Sequence, residues 1–492
     1  MSTQKAAIIG AGVGGLAIAI RLAAKGYHVS VFEQQGKVGG KLNELNVNGF
    51  RFDTGPSLFT LPELVDEILA IGGEIPSNVL PYKKLDVITK YFFPDGKVLN
   101  AFADPQLFAN EVLSVLNEPK ENIEKYLLEC RELYRLTANL FIYNEFPTWN
   151  GFKSAEAREI GKNIGKLKAF SSMHSVNKRS FTNSNTIQLF DRFATYNGSN
   201  PYKAPGTLTI IPHLEHNVGA FFPDKGMYSI ASSLEALAIK LGVTFHLNAP
   251  VQEIVVQNGK AVGVKANGQS EAFDLVVNDT DIFTAYPKLL PKQRQSWVYK
   301  RQEPSSSALI FYWGVKGNYP QLDIHNILFS GAYKSEFDAL GKGTILSDPT
   351  VYLFISSKQV ANDAPSGHEN WFVMVNAPYN REQDWCTLVA ETRAAIVRKI
   401  KTVLNIDIES QIVNENVLTP PQIEQLTGSY RGSLYGISSN SPMAAFSRHP
   451  NRLSKIKGLY FAGGSVHPGG GIPLCLASAK IIDSFIPPVN RS

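Results

Sequence analysis

AAIIGAGVGGLAIAIRLAAKGYHVSVFE, spanning Ala6 to Glu33, reads as strand, glycine turn, helix and second strand. Ala6 to Ile9 is a short apolar run of the kind found in buried strands. Leu16 to Lys25 carries apolar residues at helical spacing, and Gly26 stands where a helix C-terminal glycine belongs. His28 to Glu33 returns to a strand pattern. This is the opening of a βαβ unit. Between strand and helix lies Gly10-x-Gly12-x-x-Gly15. The first glycine permits the turn, the second lets a pyrophosphate approach the backbone, and the third lets the helix pack on the strand. The helix N-terminus then offers free N–H groups and partial positive charge to phosphate. Glu33 ends the second strand, where a carboxylate binds ribose hydroxyls. The stretch predicts dinucleotide binding.

At 492 residues the chain is too long for one ordinary core. Later segments return to the same architecture. Met227 to Gly268 reads helix, strand, strand, turn, strand, with Asn258-Gly259 as a hairpin signal. DLVVNDTD (Asp274 to Asp281) is another buried strand, and KGLYFAGGSVHPGGGIP is a strand, loop and helix start. Between them lie a helical stretch, about 105–190, and alternating segments such as SALIFYWGV and NWFVMVNAP. The pattern predicts an α/β protein of two interleaved domains. Residues 1–75, 225–285 and 435–492 form a Rossmann-like nucleotide-binding domain. Residues 76–224 and 286–434 form a mixed-sheet plus helical substrate domain.

Hydrophobic content of 44% and charged content of 18% describe an ordered globular protein, and a net charge of +5 does not call for nucleic acid. That charge is concentrated. Between Lys153 and Arg179 seven basic residues face only Glu156 and Glu159. Just upstream stand Phe141, Tyr143, Phe146, Trp149 and Phe152. Aromatics beside a basic run suit a membrane surface, and equally suit a core-facing aromatic helix beside a solvated basic face. Three scattered cysteines, no signal-peptide shape and no long apolar stretch lead to the expectation of a cytoplasmic, soluble or peripheral protein. No histidine pattern suggests a metal, and no G-x-S-x-G elbow or H-E-x-x-H is present. With no evident protein nucleophile, a cofactor is expected to carry the chemistry.

Further motifs identify the cofactor. Gly39-Gly40-Lys41 follows Glu33, and then comes FRFDTGPSLFTLPE. The sequence here resembles the flavoprotein family of amine oxidases and carotenoid desaturases, in which a GG-Arg or GG-Lys turn wraps FAD. It is most similar to the carotenoid desaturases: Phe52 to Ser57 matches FDxGPS/T, followed by YNGSNPYKAP (Tyr196 to Pro205) and GAFFPDKGM (Gly219 to Met227). Gly463 to Pro473 matches the family's C-terminal signature, with Val466 in place of a small polar residue. The resemblance covers essentially the whole chain. It implies FAD contacts at Gly10, Gly12, Gly15, Glu33, Lys41, Ser57 and Leu58. Val251, Asn278 or Asp279, Gly464, Gly471 and Ile472 would continue the set. Pro473 fits the first turn of the last helix, whose N-terminus would face the flavin's pyrimidine side. A side chain at Gly470 or Gly471 is expected to occupy flavin space.

The resemblance also implies the reaction: hydride transfer from an unactivated C–C bond to flavin N5, with proton loss from the neighbouring carbon. Beside a polyene the resulting cation is allylic and its adjacent C–H acidic, so a weak base or water suffices, and no catalytic residue is assigned. The implied substrate is a 1-hydroxycarotenoid of the 1'-hydroxy-γ-carotene type, desaturated at the 3,4 position; the runner-up is phytoene. Such substrates live in membranes, which favours peripheral attachment to the inner cell membrane through residues 141–179. Oxygen or quinone is the expected electron acceptor. Rival readings are amine or porphyrinogen oxidases and, outside catalysis, a binding protein like the guanine-nucleotide dissociation inhibitors.

Overall fold

The computed structural model describes residues 4–145, 153–296, 299 and 301–489. β1 (Lys5–Ile9), α1 (Val13–Ala24) and β2 (His28–Phe32) form the predicted opening unit. β1 pairs in parallel with β2 on one side and with Leu275–Asn278 on the other. The sheet runs Val251–Gln257, Lys260–Ala266, Ile456–Phe461, Leu275–Asn278, β1, β2, Thr244–His246. Segments from the start, middle and end of the chain are thus neighbours in one layer. Asn258 and Gly259 both take positive φ, +48° and +73°, as the two-residue hairpin joining Val251–Gln257 to Lys260–Ala266 requires.

α1 lies on this sheet with Val13 to Leu22 buried, and packs against the final helix Ile472–Phe485 and the helix Tyr228–Lys240. Leu16, Ile18, Ile20 and Leu22 are fully shielded from solvent, as expected for a helix with partners on more than one side.

A second sheet runs Ile412–Leu418, Ser307–Lys316, His368–Ala377, Val351–Phe354, His325–Leu328, Val87–Phe92, Val98–Phe102. All of its pairings are antiparallel except that between His325–Leu328 and Val87–Phe92. Helices Pro105–Leu116, Lys120–Phe141, Ala155–Lys162, Met173–Ser180 and Ser184–Asp191 gather beside it, where the helical stretch was predicted. No helix among the described residues is long and apolar enough to cross a membrane.

Two motifs join these layers. Arg51 forms ion pairs with Glu44, Asp53 and Asp363. Asp53 in turn accepts from the backbone N–H groups of Met227 and Tyr228, at 3.0 and 2.8 Å, at the start of helix Tyr228–Lys240. Gly198 of the YNGSNP motif accepts from Ser306 N at 2.9 Å, and a Cβ there would lie 2.7 Å from Ser305 Cβ.

Candidate active site

A cavity of about 1550 Å³ is lined by elements of both sheets and of the helical layer. The N-terminus of α1 stands at one end. Gly10 and Gly12 line the cavity, whereas Gly15 packs helix on strand: a Cβ there would lie 2.1 Å from the Gly10 carbonyl oxygen. α1 has no acidic residue in its first turn and no side-chain cap. Its first N–H groups are therefore open to an anion.

The anion they meet is Asp279, whose N–H donates to Ile9 O at 2.8 Å, beside the glycine turn. Its carboxyl accepts from the backbone of Gly15 and Gly12. Oδ1 lies 2.5 Å from the position a Cβ would take on either Gly14 or Gly463. Burial pushes the Asp279 carboxyl up to about 7, with the charge of Glu33 adding to the rise, while the glycine N–H groups and Lys41 pull the other way. Asn278 differs. Its amide and Thr280 hydrogen-bond each other, and it is buried between β1 and Ile456–Phe461. Of the two residues, Asp279 is the one that lines the cavity.

Glu33 is buried at the end of β2, its two oxygens accepting from Ala11 N at 2.7 Å and Gln35 N at 2.9 Å. Carboxylate lone pairs remain for a diol. Val251, the first residue of its strand, lines the same end. Lys41 lines the cavity too, but its Nζ donates to the carbonyls of Ser433 and Leu434 at 3.0 and 2.7 Å. Two of its three donors thus tie down a loop, and burial lowers its pKa.

The final loop closes another side. Gly464, Gly471, Ile472 and Pro473 line the cavity, and Pro473 sits in the first turn of the last helix. Gly471 has φ +110°, and nothing lies within 4 Å of where its Cβ would be. Gly470 lines the cavity as well. A Cβ there would strike Tyr435 Cα at 2.8 Å, so this glycine serves backbone packing.

Ser57 and Leu58 lie where the two sheets meet the cavity. Ser57 Oγ is 2.6 Å from Tyr352 Oη, which is 2.7 Å from Nδ1 of His325. Burial, with the charge of Arg192 adding to it, pushes His325 down to about 3, so the ring is neutral. Arg192 is enclosed by the rings of Tyr91, Phe193 and Tyr196 and is 3.4 Å from Glu215. The acidic residues lining the cavity are Glu33, Glu44, Asp279 and Asp281; the residues that line it from the second sheet and the helical layer are apolar or neutral apart from Arg192. At the mouth, Ile164, Phe170 and Met443 line the cavity and are 58%, 89% and 61% exposed. The exposed cations Arg158, Lys162 and Lys166 stand on the same helical segment. Phe146, Trp149 and Phe152 of the predicted patch lie outside the described residues.

The sequence assigns no role to Tyr352 and His325, the partners of Ser57, to the Arg192–Glu215 pair or to Arg448, a further cavity-lining residue. Their members come from distant strands and loops, and no local spacing marks them.

The glycine cradle of α1, the held carboxylate of Glu33 and the open position at Gly471 fit a dinucleotide carrying a flat ring at its far end. The comparisons agree with that geometry. Residues 13–481 match the family described as flavin containing amine oxidoreductase. The chain is 45% identical over 488 residues to a 1-hydroxycarotenoid 3,4-desaturase of Flavobacterium sp., covering 99% of this chain and 100% of that protein. It is 32% identical over 486 residues to a 4,4'-diapolycopene oxygenase of Methylomonas sp., covering 97% of each. Among solved structures, a redesigned putrescine oxidase superposes with a TM-score of 0.64 at 14% identity, over 98% of each chain, and shares the fold. The chain belongs to the flavin containing amine oxidoreductase family and is an FAD-dependent oxidoreductase.

Proposed function

We propose that the protein desaturates a 1-hydroxylated carotenoid at its 3,4 bond, using FAD. The observation that carries the substrate class is the 45% identity, over 99% of this chain, to a 1-hydroxycarotenoid 3,4-desaturase. The cavity supports it, being continuous from the glycine motif to an apolar, exposed rim at Ile164 and Phe170.

In this reading Gly10, Gly12, Gly15 and Glu33 hold the adenosine and pyrophosphate part of FAD, with Val251 and Asp279 beside them. Lys41, Ser57, Leu58, Gly464, Gly471, Ile472 and Pro473 surround the ring. FAD, when bound, accepts a hydride from the substrate. The apolar walls formed by residues such as Ile310, Phe372 and Met374 exclude water from the polyene. The neutral groups His325, Tyr352 and Ser57 suffice to receive a proton from a carbon already made acidic by its allylic neighbour. Residues 1–75, 225–285 and 435–492 are the cofactor domain, and the rest form the substrate domain.

The substrate enters from a lipid surface. The cations of residues 153–179 meet anionic headgroups while Ile164 and Phe170 reach the acyl boundary, giving peripheral attachment on the cytoplasmic side of the cell membrane. Oxygen or a quinone restores the oxidised cofactor. The test is to supply 1-hydroxylated carotenoids and phytoene in liposomes and follow the red shift of the polyene absorption. Turnover of the hydroxylated substrate is expected. A preference for phytoene, or no shift from a flavin-loaded protein, overturns the substrate assignment.

A further inference from the structure

Arg448 lines the cavity and is 7% exposed. Its Nη2 donates to Ser439 Oγ at 3.3 Å, and its Nη1 has no hydrogen-bond partner among the described residues. The other buried arginines differ. Arg21 is paired with Glu67 and Asp483, and Arg192 with Glu215. For Arg448 no neighbouring charge offsets burial, which pushes its pKa down to about 10 and leaves it a cation at neutral pH. A buried cation without a counter-charge is strongly unfavourable, so an anion is wanted beside it.

The final loop shows which anion. Near Gly463 the loop packs on the α1 turn, where a Cβ on Gly14 would lie 3.2 Å from Gly463 N. It then pairs with the Arg448 segment, His467 N donating to His449 O at 2.9 Å. At Gly469 a Cβ would lie 2.8 Å from Arg448 Nη1, so only glycine lets the guanidinium lie against this backbone. Two residues later comes Gly471, the N-cap of the last helix. The loop doubles back on itself, a Cβ on Gly464 lying 3.2 Å from Gly470 Cα, and Arg448 stands beside the turn into the last helix, with Asp279 of the pyrophosphate motif too far away to offset its burial. The titratable neighbour, His467, is buried, and its pKa is lowered to about 4. FAD carries negative charge in two places: permanently at the pyrophosphate, and at the N1–C2=O edge of the ring once it is reduced.

We propose that Arg448 is the counter-charge of the reduced flavin ring, acting together with the N–H groups that open the last helix. This rests on the desaturase reading. There, one C–H bond of the substrate gives its hydrogen and electron pair to the ring, and the neighbouring C–H gives its proton to water or a weak base. A new C=C bond forms, and the ring, having gained two electrons and one proton, carries one negative charge. Arg448 lowers the energy of that charge and so makes the hydride transfer more favourable.

The test compares flavin-loaded wild type, Arg448→Met and Arg448→Lys, each equilibrated anaerobically with a reference redox dye. Arg448→Met is expected to retain flavin while its ratio of reduced to oxidised flavin falls at least tenfold at a fixed potential, about 30 mV for a two-electron couple. Arg448→Lys is expected to recover part of that loss. Flavin-loaded Arg448→Met with an unchanged ratio overturns the proposal. So does a folded variant that has lost its flavin, because the charge would then serve the oxidised cofactor. Wild type supplies a measurement independent of the variants. The free reduced ring gains a proton at N1 near neutrality, whereas the reduced enzyme is expected to show one unchanging absorption spectrum from about pH 5.5 to about pH 8. A protonation in that range overturns the proposal. A wild-type protein that binds no flavin refutes the site reading itself.

Discussion

Replacing Asp279 with asparagine should make FAD binding insensitive to pH. The Asp279 carboxyl takes hydrogen bonds from Gly12 and Gly15, the same N–H groups a pyrophosphate needs. A carboxylate there repels phosphate, and a protonated carboxyl does not. With the carboxyl pushed up to about 7, the competing ionised form is scarce on the acid side and dominant on the alkaline side. If only the protonated form admits the cofactor, affinity is weakened about twofold at pH 7, about elevenfold at pH 8 and roughly a hundredfold at pH 9, relative to its acid limit. The asparagine keeps the shape and removes the charge. Its affinity should be flat with pH and about tenfold tighter than wild type at pH 8. Flavin fluorescence quenching on titrating deflavinated protein with FAD measures both curves. A flat wild-type profile refutes the reasoning. An Asp279→Asn protein that binds more weakly at every pH refutes it too, because the carboxylate would then be a ligand.

Gly471→Val forces a branched side chain onto φ +110° and ψ 152°, a strain of about 1–3 kcal/mol, and points it into the open cavity. The variant should purify with its flavin-to-protein absorbance ratio near zero. Exchanging Arg158, Lys162 and Lys166 for glutamine should weaken binding to anionic vesicles by roughly 3 kcal/mol, about 150-fold at low salt, at about 1 kcal/mol per charge. Co-sedimentation that does not change would remove the membrane role from this patch. A general base contributes about 10²–10⁴-fold, yet His325→Ala and Tyr352→Phe should each cost less than about tenfold in single-turnover rate. A loss of several thousand-fold in either would show that the proton needs a dedicated acceptor.

The nucleotide end was legible because each of its requirements is local. Gly10, Gly12 and Gly15 sit at fixed spacing, and the structure gives Gly15 the packing reason the motif implies: a Cβ 2.1 Å from the Gly10 carbonyl. The hairpin at Asn258-Gly259 and the strand over residues 275–278 are local in the same sense. Lys41 shows where such reading stops. Its place after the glycine pair was legible, but not that its ammonium reaches carbonyls almost 400 residues away in sequence. Ser57, His325 and Tyr352 meet only because the second sheet sets two of their strands side by side. Arg448 sits in an ordinary polar run, and nothing in that run says the guanidinium will be buried. Long-range pairing and burial decide these positions, and neither leaves a periodicity.

The order of strands in the first sheet has a consequence for how the protein is made. Ile456–Phe461 pairs directly with Leu275–Asn278, and the last helix covers α1, so the ribosome must deliver almost the entire chain before the cofactor crevice can close. Until then α1, one of the most apolar helices of the protein, has no cover on that side. A nascent chain in this condition needs a chaperone or rapid docking of the middle segments. Truncation of even the last thirty or so residues should therefore cost the cell the whole holoenzyme, because the sheet that starts the sequence is the last to be finished.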